Sequence, residues 1–261
     1  MKRFLLLGFI GVCAASCATW RPEKAVVASS ACDALHSPWR NPQNALVIDA
    51  YEKNAIDWDK LATAARVAGV IHRATCGLTA DNSYAARRIA AKRRRLLWGS
   101  YHVGTTNDPI QQADFYLRTI HDARGEVMAL DLEDVVGGTS MNIAQAQLFL
   151  GRVHEKTGRY PLVYANQQTI FAIQRTCGRS NVFARTRLWY ARYTNLADIS
   201  VSTWRNYTLW QFASELRHGP QPASAFFPIP GTSPDIDVNV FNGTLAELRS
   251  AWPFADAQHA P

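Results

Sequence analysis

From Ala45 onward, short apolar runs are separated by longer amphipathic stretches. The runs at 45–50, 69–75, 96–103, 126–133, 160–165, 187–192, 207–213 and 236–241 have the length and the β-branched or aromatic content of buried strands. Eight such runs alternating with helices predict a parallel α/β barrel. The helices carry their own start and stop signals. Asp108-Pro109-Ile110-Gln111 offers an N-cap, a proline at the first helical position and a glutamine at the third, which predicts a helix to about Asp122. Asn142 and Gln145 repeat that logic for a helix whose Ile143, Ala146, Leu150 and Val153 share a face and which stops before Gly158. After about residue 170 the helices shorten, and the last three strands are expected to be joined mainly by loops, including the Pro/Ala/Ser-rich stretch 219–234.

The N-terminus reads differently. In MKRFLLLGFIGVCAASC, two cations precede an apolar run and small residues, the pattern of a secretory signal too short to span a bilayer as a mature helix. Ala14-Ala15-Ser16-Cys17 resembles the bacterial lipobox, with alanine at the position usually held by leucine. Cys17 is therefore the expected lipidation site, with ordinary cleavage nearby as the alternative. Residues 18–44 lack sustained periodicity. The resulting plan is a signal at 1–16, a lipid-anchored tether and lead-in at 17–43, a catalytic-scale domain at 44–252 and a tail at 253–261.

Charge narrows the partners. The 261-residue chain carries a formal +7, which falls to +5 when Lys2 and Arg3 leave with the signal. A basic protein suits an anionic wall polymer, an anionic membrane or nucleic acid. The run Lys92-Arg93-Arg94-Arg95 closes a predicted helix, where the dipole favours cations, so it reads as a solvated helix end. No zinc-finger spacing or nucleic-acid module accompanies it, and nucleic acid is not an expected partner. No metal-ligand spacing is present, so no cofactor is expected. A monomer is the default.

Candidate chemistry sits at strand ends. In EVMALDLEDVVGG an apolar strand ends in three acids, Asp131, Glu133 and Asp134. Residues two apart in a strand share a face, so Asp131 and Glu133 project together and Asp134 opposes them. A bare D-x-E is ordinarily an acidic loop. Here Asp49 ends the first strand and Asp237 lies in the last, and first and last strands are neighbours in a closed barrel. The aromatics Tyr101, Tyr164, Trp189, Tyr190 and Trp210 cluster near strand ends and are the expected substrate-binding side chains. Acids plus aromatics describe a sugar cleft.

Asp49 in VIDAY, Arg73-Ala74-Thr75, Tyr101-His102, Asp131-Leu132-Glu133, PLVYAN, LWYARY, Trp210-Gln211 and DIDVNVFNG follow in order the motifs of glycoside hydrolase family 25, which the chain resembles over about residues 44–243. The resemblance implies a lysozyme, or N-acetylmuramidase, on an irregular flattened TIM-like β/α barrel. Its expected reaction cleaves the β-1,4 bond between N-acetylmuramic acid and N-acetylglucosamine in peptidoglycan, by a substrate-assisted route with retention. By motif position, Glu133 is the expected general acid/base, and Asp131 the group that stabilises positive charge or orients the 2-acetamido group. Asp49 and Asp237 complete the acidic floor. The protein is expected to be exported, as a membrane lipoprotein facing the periplasm or as a secreted enzyme. A non-catalytic peptidoglycan-binding lipoprotein is the alternative, and retention of all four acids weighs against it.

Several positions depart from the family pattern. Cys76 stands where a glutamate is common, and Val103 and Phe212 replace a phenylalanine and a tyrosine. Cys76 with His102 is a weak nucleophile pair; a disulfide from Cys76 to Cys177 or Cys32 is the preferred expectation.

Overall fold

The computed structural model describes residues 34–120, 122–135, 137–200, 202–214 and 226–255. The signal-like segment, Cys17 and Cys32 lie outside them. All eight predicted runs are strands: β1 (Asn44–Ala50), β2 (Val67–Cys76), β4 (Leu97–Val103), β5 (Val127–Asp131), β6 (Leu162–Asn166), β7 (Leu188–Ala191), β8 (Leu209–Ala213) and β9 (Asp237–Thr244). The two-residue β3 (Thr79–Ala80) folds back on the end of β2. The order β1-β9-β8-β7-β6-β5-β4-β2 closes through a β1–β2 pairing, so eight strands form a barrel.

Helices α1 (Trp58–Ala62), α2 (Tyr84–Arg93), α3 (Pro109–Ile120), α4 (Ile143–Thr157) and α5 (Gln167–Cys177) return the chain between successive parallel strands, and α6 (Leu245–Ala251) follows β9. The predicted caps hold these helices at their starts. Asp108 Oδ1 accepts from the Gln111 N–H at 2.8 Å, and Asn142 and Gln145 form a full capping box. Gly158, at φ 72°, takes the left-handed position that ends α4.

The parallel-barrel expectation needs correcting at its last strand. β9 runs antiparallel to both neighbours, β8 and β1. A parallel return needs a crossover that carries the chain back to the base. The described residues between β8 and β9 contain no helix to do so, and the chain enters β9 from the rim it left. The first residue of β9 thus lies where the other strands end.

Alternation along the strands sorts side chains into two cores. Ala45, Val47, Ile71, Val127, Ala129, Leu162, Trp189, Leu209 and Phe241 fill the barrel; Ile48, Val70, Trp98, Leu130, Val163 and Trp210 face the helices outside. The interior is narrow: a Cβ on Gly99 would meet the Val127 Cβ at 2.9 Å and the Ile71 Cγ1 at 3.1 Å. Leu248 of α6 and Phe254 join the inner cluster and plug the base.

The packed unit is longer at both ends than residues 44–252. Trp39 stacks on Phe212 at 4.5 Å and meets Trp210 edge-on at 5.1 Å. The Arg66 guanidinium donates to the carbonyls of Trp39, Asn41 and Asn44, each at 3.0 Å. At the other end, Phe254 is buried and stacks against Phe241.

Of the two disulfides expected for Cys76, the one to Cys177 is corrected, since both thiols are free, and the one to Cys32 lies outside the described residues. Cys76 ends a strand at the rim, whereas Cys177 ends α5, which runs back to the base, so the two lie at opposite ends of the barrel. Nor does Cys76 meet His102. That ring is buried outside the barrel, bonded to Thr75 Oγ1 at 2.7 Å and Gln112 Oε1 at 3.0 Å.

Trp39→Ala is expected to cost about 3–5 kcal/mol, as for a buried tryptophan. Urea denaturation checks this; a loss below about 1 kcal/mol would show that the lead-in segment is not part of the core.

Candidate active site

Inward phase at the C-terminal ends of the strands decides what reaches the mouth. Asp49 shares its phase with Val47, Asp131 with Ala129, and Asp237 with Phe241, so all three acids point into the barrel. The antiparallel β9 puts Asp237 directly opposite Asp49 in register. Beyond the end of β5, Leu132 is buried among the outer core, and Glu133 stands exposed at the opening. Asp134 turns away into a left-handed conformation, φ 50°, which an aspartate tolerates, and closes its own loop by accepting from Gly137 N at 3.1 Å and Thr139 Oγ1 at 2.8 Å.

The aromatic expectations divide by phase. Tyr101, Tyr164 and Trp189 face inward: Tyr164 meets Trp189 edge-on at 4.9 Å, and Tyr101 meets it at 6.1 Å. Of the three, only Tyr101 keeps partial exposure. Tyr190 and Trp210 do not belong to the cleft. They face outward, fully buried, and Trp210 donates its indole N–H to the Arg192 carbonyl at 2.7 Å. Their neighbours Trp189 and Gln211 occupy the inward phase in their place.

Two amides hold Asp49. Gln211 Nε2 donates to Asp49 Oδ2 at 3.0 Å, and Asn239 Nδ2 donates to the same oxygen at 2.7 Å and to the Val47 carbonyl at 3.0 Å. Each amide is aimed by what binds its oxygen. Trp189 Nε1 donates to Asn239 Oδ1, while the hydroxyls of Tyr164, at 2.8 Å, and Tyr193 donate to Gln211 Oε1. Gln211, Asn239 and Tyr193 are absent from the sequence-derived site. Asn239 was within reach of sequence reasoning, because it lies two residues from Asp237 and so on the same face.

Among the described residues, one cation approaches the acids. Arg73 lies over the Tyr51 ring at 4.9 Å and pairs with Glu52 and Asp81, each at 3.3 Å. Burial outweighs it. Desolvation pushes Asp49 up to about 6 despite the donors from Asn239 and Gln211, and the charge of Glu133 adds to the rise. Asp131 is held well above the usual carboxylate range by burial and then by Glu133 and Asp49, with Arg73 pulling the other way. Asp237 is raised by burial and by the acids around it. Glu133 is raised by desolvation, offset in part by the Tyr164 hydroxyl and reinforced by Asp134. A cluster whose four carboxyls are all raised is equipped for general acid/base chemistry.

Among known proteins, the family described as Glycosyl hydrolases family 25 matches residues 48–219. The chain belongs to that family. It is a glycoside hydrolase. Family 25 relatives include the N,O-diacetylmuramidase of Arthroderma benhamiae, 25% identical over 194 residues, covering 69% of this chain and 74% of that protein. The uncharacterized protein YegX of Escherichia coli K12 is 26% identical over 204 residues, covering 75% of this chain and 68% of that one. The fold is that of the bacterial lysozyme from Streptomyces coelicolor, with a TM-score of 0.64 at 22% identity over 80% of this chain and 96% of that one. A muramidase from Trichobolus zukalii gives a TM-score of 0.60 at 24% identity, covering 79% and 97%. The family 25 match spans Asp49, Asp131 and Glu133 and stops short of Asp237, whose place in the cluster follows from its register with Asp49.

The raised pKa of Asp49 has a sign in stability. Its ordinary value is 3.8, so between about pH 4 and 6 the folded protein holds more protons at this site than the unfolded chain. Stability from this group therefore falls as pH rises through that window. Asp49→Asn keeps an acceptor for both amides and removes the ionisation. Its stability advantage over the parent is expected to be near zero at pH 4 and to grow to a gain on the order of 2 kcal/mol above pH 7. Paired calorimetric scans across pH measure this, and a pH-independent difference would refute the assignment.

Proposed function

We propose that this protein is a peptidoglycan hydrolase that cuts the β-1,4 bond between N-acetylmuramic acid and N-acetylglucosamine. The observation that carries the reading is the gathering of Asp49, Asp131, Glu133 and Asp237 at one mouth, with Glu133 at the opening and its pKa raised. Glu133 holds the proton that passes to the glycosidic oxygen as the bond to C1 breaks. The acetamido carbonyl oxygen of the same sugar closes on C1 from the opposite face, and Asp131 orients that group and balances its positive charge. Ionised Glu133 then takes a proton from water, whose oxygen opens the cyclic intermediate at C1, giving net retention. Desolvation and the neighbouring Asp134 charge favour the protonated form of Glu133, and Asp49 and Asp237 complete the acidic floor around it. Partly exposed Tyr101 is the sugar-facing ring, backed by Trp189 and Tyr164.

In this reading the enzyme is exported and held to a membrane through lipidated Cys17, with residues 1–16 removed and peptidoglycan glycan strands as its partner. Among the described residues no helix is long and apolar enough to cross a membrane.

Incubation with purified peptidoglycan, borohydride reduction and mass spectrometry test the bond assignment. Reduced muramic acid ends are expected; reduced glucosamine ends would overturn the bond but keep the class. Glu133→Gln should lower product release roughly 10²–10⁴-fold while leaving wall binding intact. Release at the parent rate would remove Glu133 from its role. Separately, mass spectrometry of membrane-extracted protein should find an acylated N-terminal Cys17. An unmodified N-terminus beyond that residue would refute the anchor.

A further inference from the structure

Basic side chains crowd the base of the barrel. Among the described residues, the guanidinium that approaches Asp131 and its neighbouring acids at the mouth is Arg73. The base is built from helix C-terminal ends and from the loops that feed the parallel strands, and cations dominate it. Exposed Arg93, Arg118, Lys156 and Arg175 lie at the C-terminal ends of α2, α3, α4 and α5. Exposed Arg95 and Arg124 sit in the loops entering β4 and β5. Helix dipoles account for the first four. They do not account for the loop pair.

Acids beside these cations are already engaged, and Glu247 of α6 caps its own helix by accepting from Thr244. Buried Glu126 is bridged by Lys92 and by Arg88 at 2.6 Å, and Asp122 lies 3.9 Å from the same two cations. Glu155 is taken by Arg152 at 3.0 Å and reaches Lys156 only at 3.9 Å. Among the described residues, Arg93, Arg95, Arg118, Arg124 and Arg175 have no carboxylate within 4.0 Å. Between the C-terminal halves of α3 and α4 lies a groove of about 480 Å³ lined by Arg118, Arg152 and Lys156 with Asp114.

We propose that the base of the barrel docks on an anionic membrane surface, through phospholipid headgroups, with the catalytic mouth turned away from it. The unpaired cations ring four helix ends instead of lining one channel that continues into the cleft, and a ring fits a plane better than a polymer strand. Asp131 stands four residues along β5 from Val127, roughly 13 Å, which exceeds the Debye length of about 8 Å at physiological salt. The negative mouth therefore leaves the attraction of the base largely intact and disfavours the inverted orientation. That the surface is an envelope membrane rests on the exported-hydrolase reading above. The orientation would present the cleft to the wall while the base stays on the lipid.

The test uses the full chain and vesicles of phosphatidylcholine with or without phosphatidylglycerol, sedimented from low to high salt. Binding is expected to require the anionic lipid and to fall steeply with salt. The triple variant Arg93→Gln, Arg124→Gln, Arg175→Gln should bind roughly ten-fold or more weakly, with an unchanged Tm. Lys53→Gln with Lys60→Gln, near the mouth, should bind as the parent does. Salt-insensitive binding, or binding unaltered in the triple variant, would assign attachment to the apolar leader and overturn the proposal. Preference for a phosphate-rich wall polymer over anionic vesicles would overturn it in favour of a polymer-binding face. Product release from soluble glycan fragments is followed in the same samples: its absence with vesicle docking intact would sink the hydrolase reading and leave the docking face standing.

Discussion

Carboxyl groups crowded at one end of a closed barrel are the constraint to which the rest of this site is fitted. Buried like charges repel and are poorly solvated, and the cluster can form only if some groups keep their protons and the others find donors. The donors to Asp49 are neutral amides, so its burial is tempered without adding a countercharge to the cluster. Those amides are in turn aimed by groups with fixed chemistry. An indole N–H can only donate, so Trp189 turns the oxygen of Asn239 toward itself and its NH₂ toward Asp49.

Much of this was legible beforehand. Strand positions follow from apolar runs bounded by turn residues, and the caps at Asp108 and Asn142 behave as their side-chain chemistry dictates. The Asp131-Leu132-Glu133 alternation survives past the end of β5, because buried Leu132 locks the phase of its neighbours. What sequence could not supply was absolute phase and direction. LWYARY contains two large aromatics in adjacent positions, and only pairing with Tyr164 on β6 shows that Trp189 points inward and Tyr190 outward. Direction failed at β9, since apolar pattern is the same whichever way a strand runs. The reversal makes an acid at the start of a strand equivalent to acids at the ends of the others.

The two ends of the barrel divide stability from chemistry. At the base, Leu248 and Phe254 seal an apolar interior; at the mouth the same inward positions turn polar within one or two residues, as at Val47 and Asp49. A buried ionisable group costs stability in proportion to its pKa shift, and that cost is offset by the two cores beneath and around it. Cys76 at the rim and His102 behind it resemble a reactive pair only in one dimension. In three, the imidazole is committed to Thr75 and Gln112 on the far side of the sheet.

The docking of Trp39 also sets the length of a leash. With the lead-in laid against β8, the folded body includes Ala34, whose carbonyl is held by Tyr207, and does not start at Asn44. Ten residues taken up by the body shorten the maximum extension by roughly 33–36 Å. The 17 steps that remain from Cys17 to Ala34 span at most about 60 Å. With Cys17 as the proposed anchor, that span plus the body itself is the upper limit on how far the mouth can stand from the lipid, and glycan strands beyond the limit are out of range however good a substrate they are.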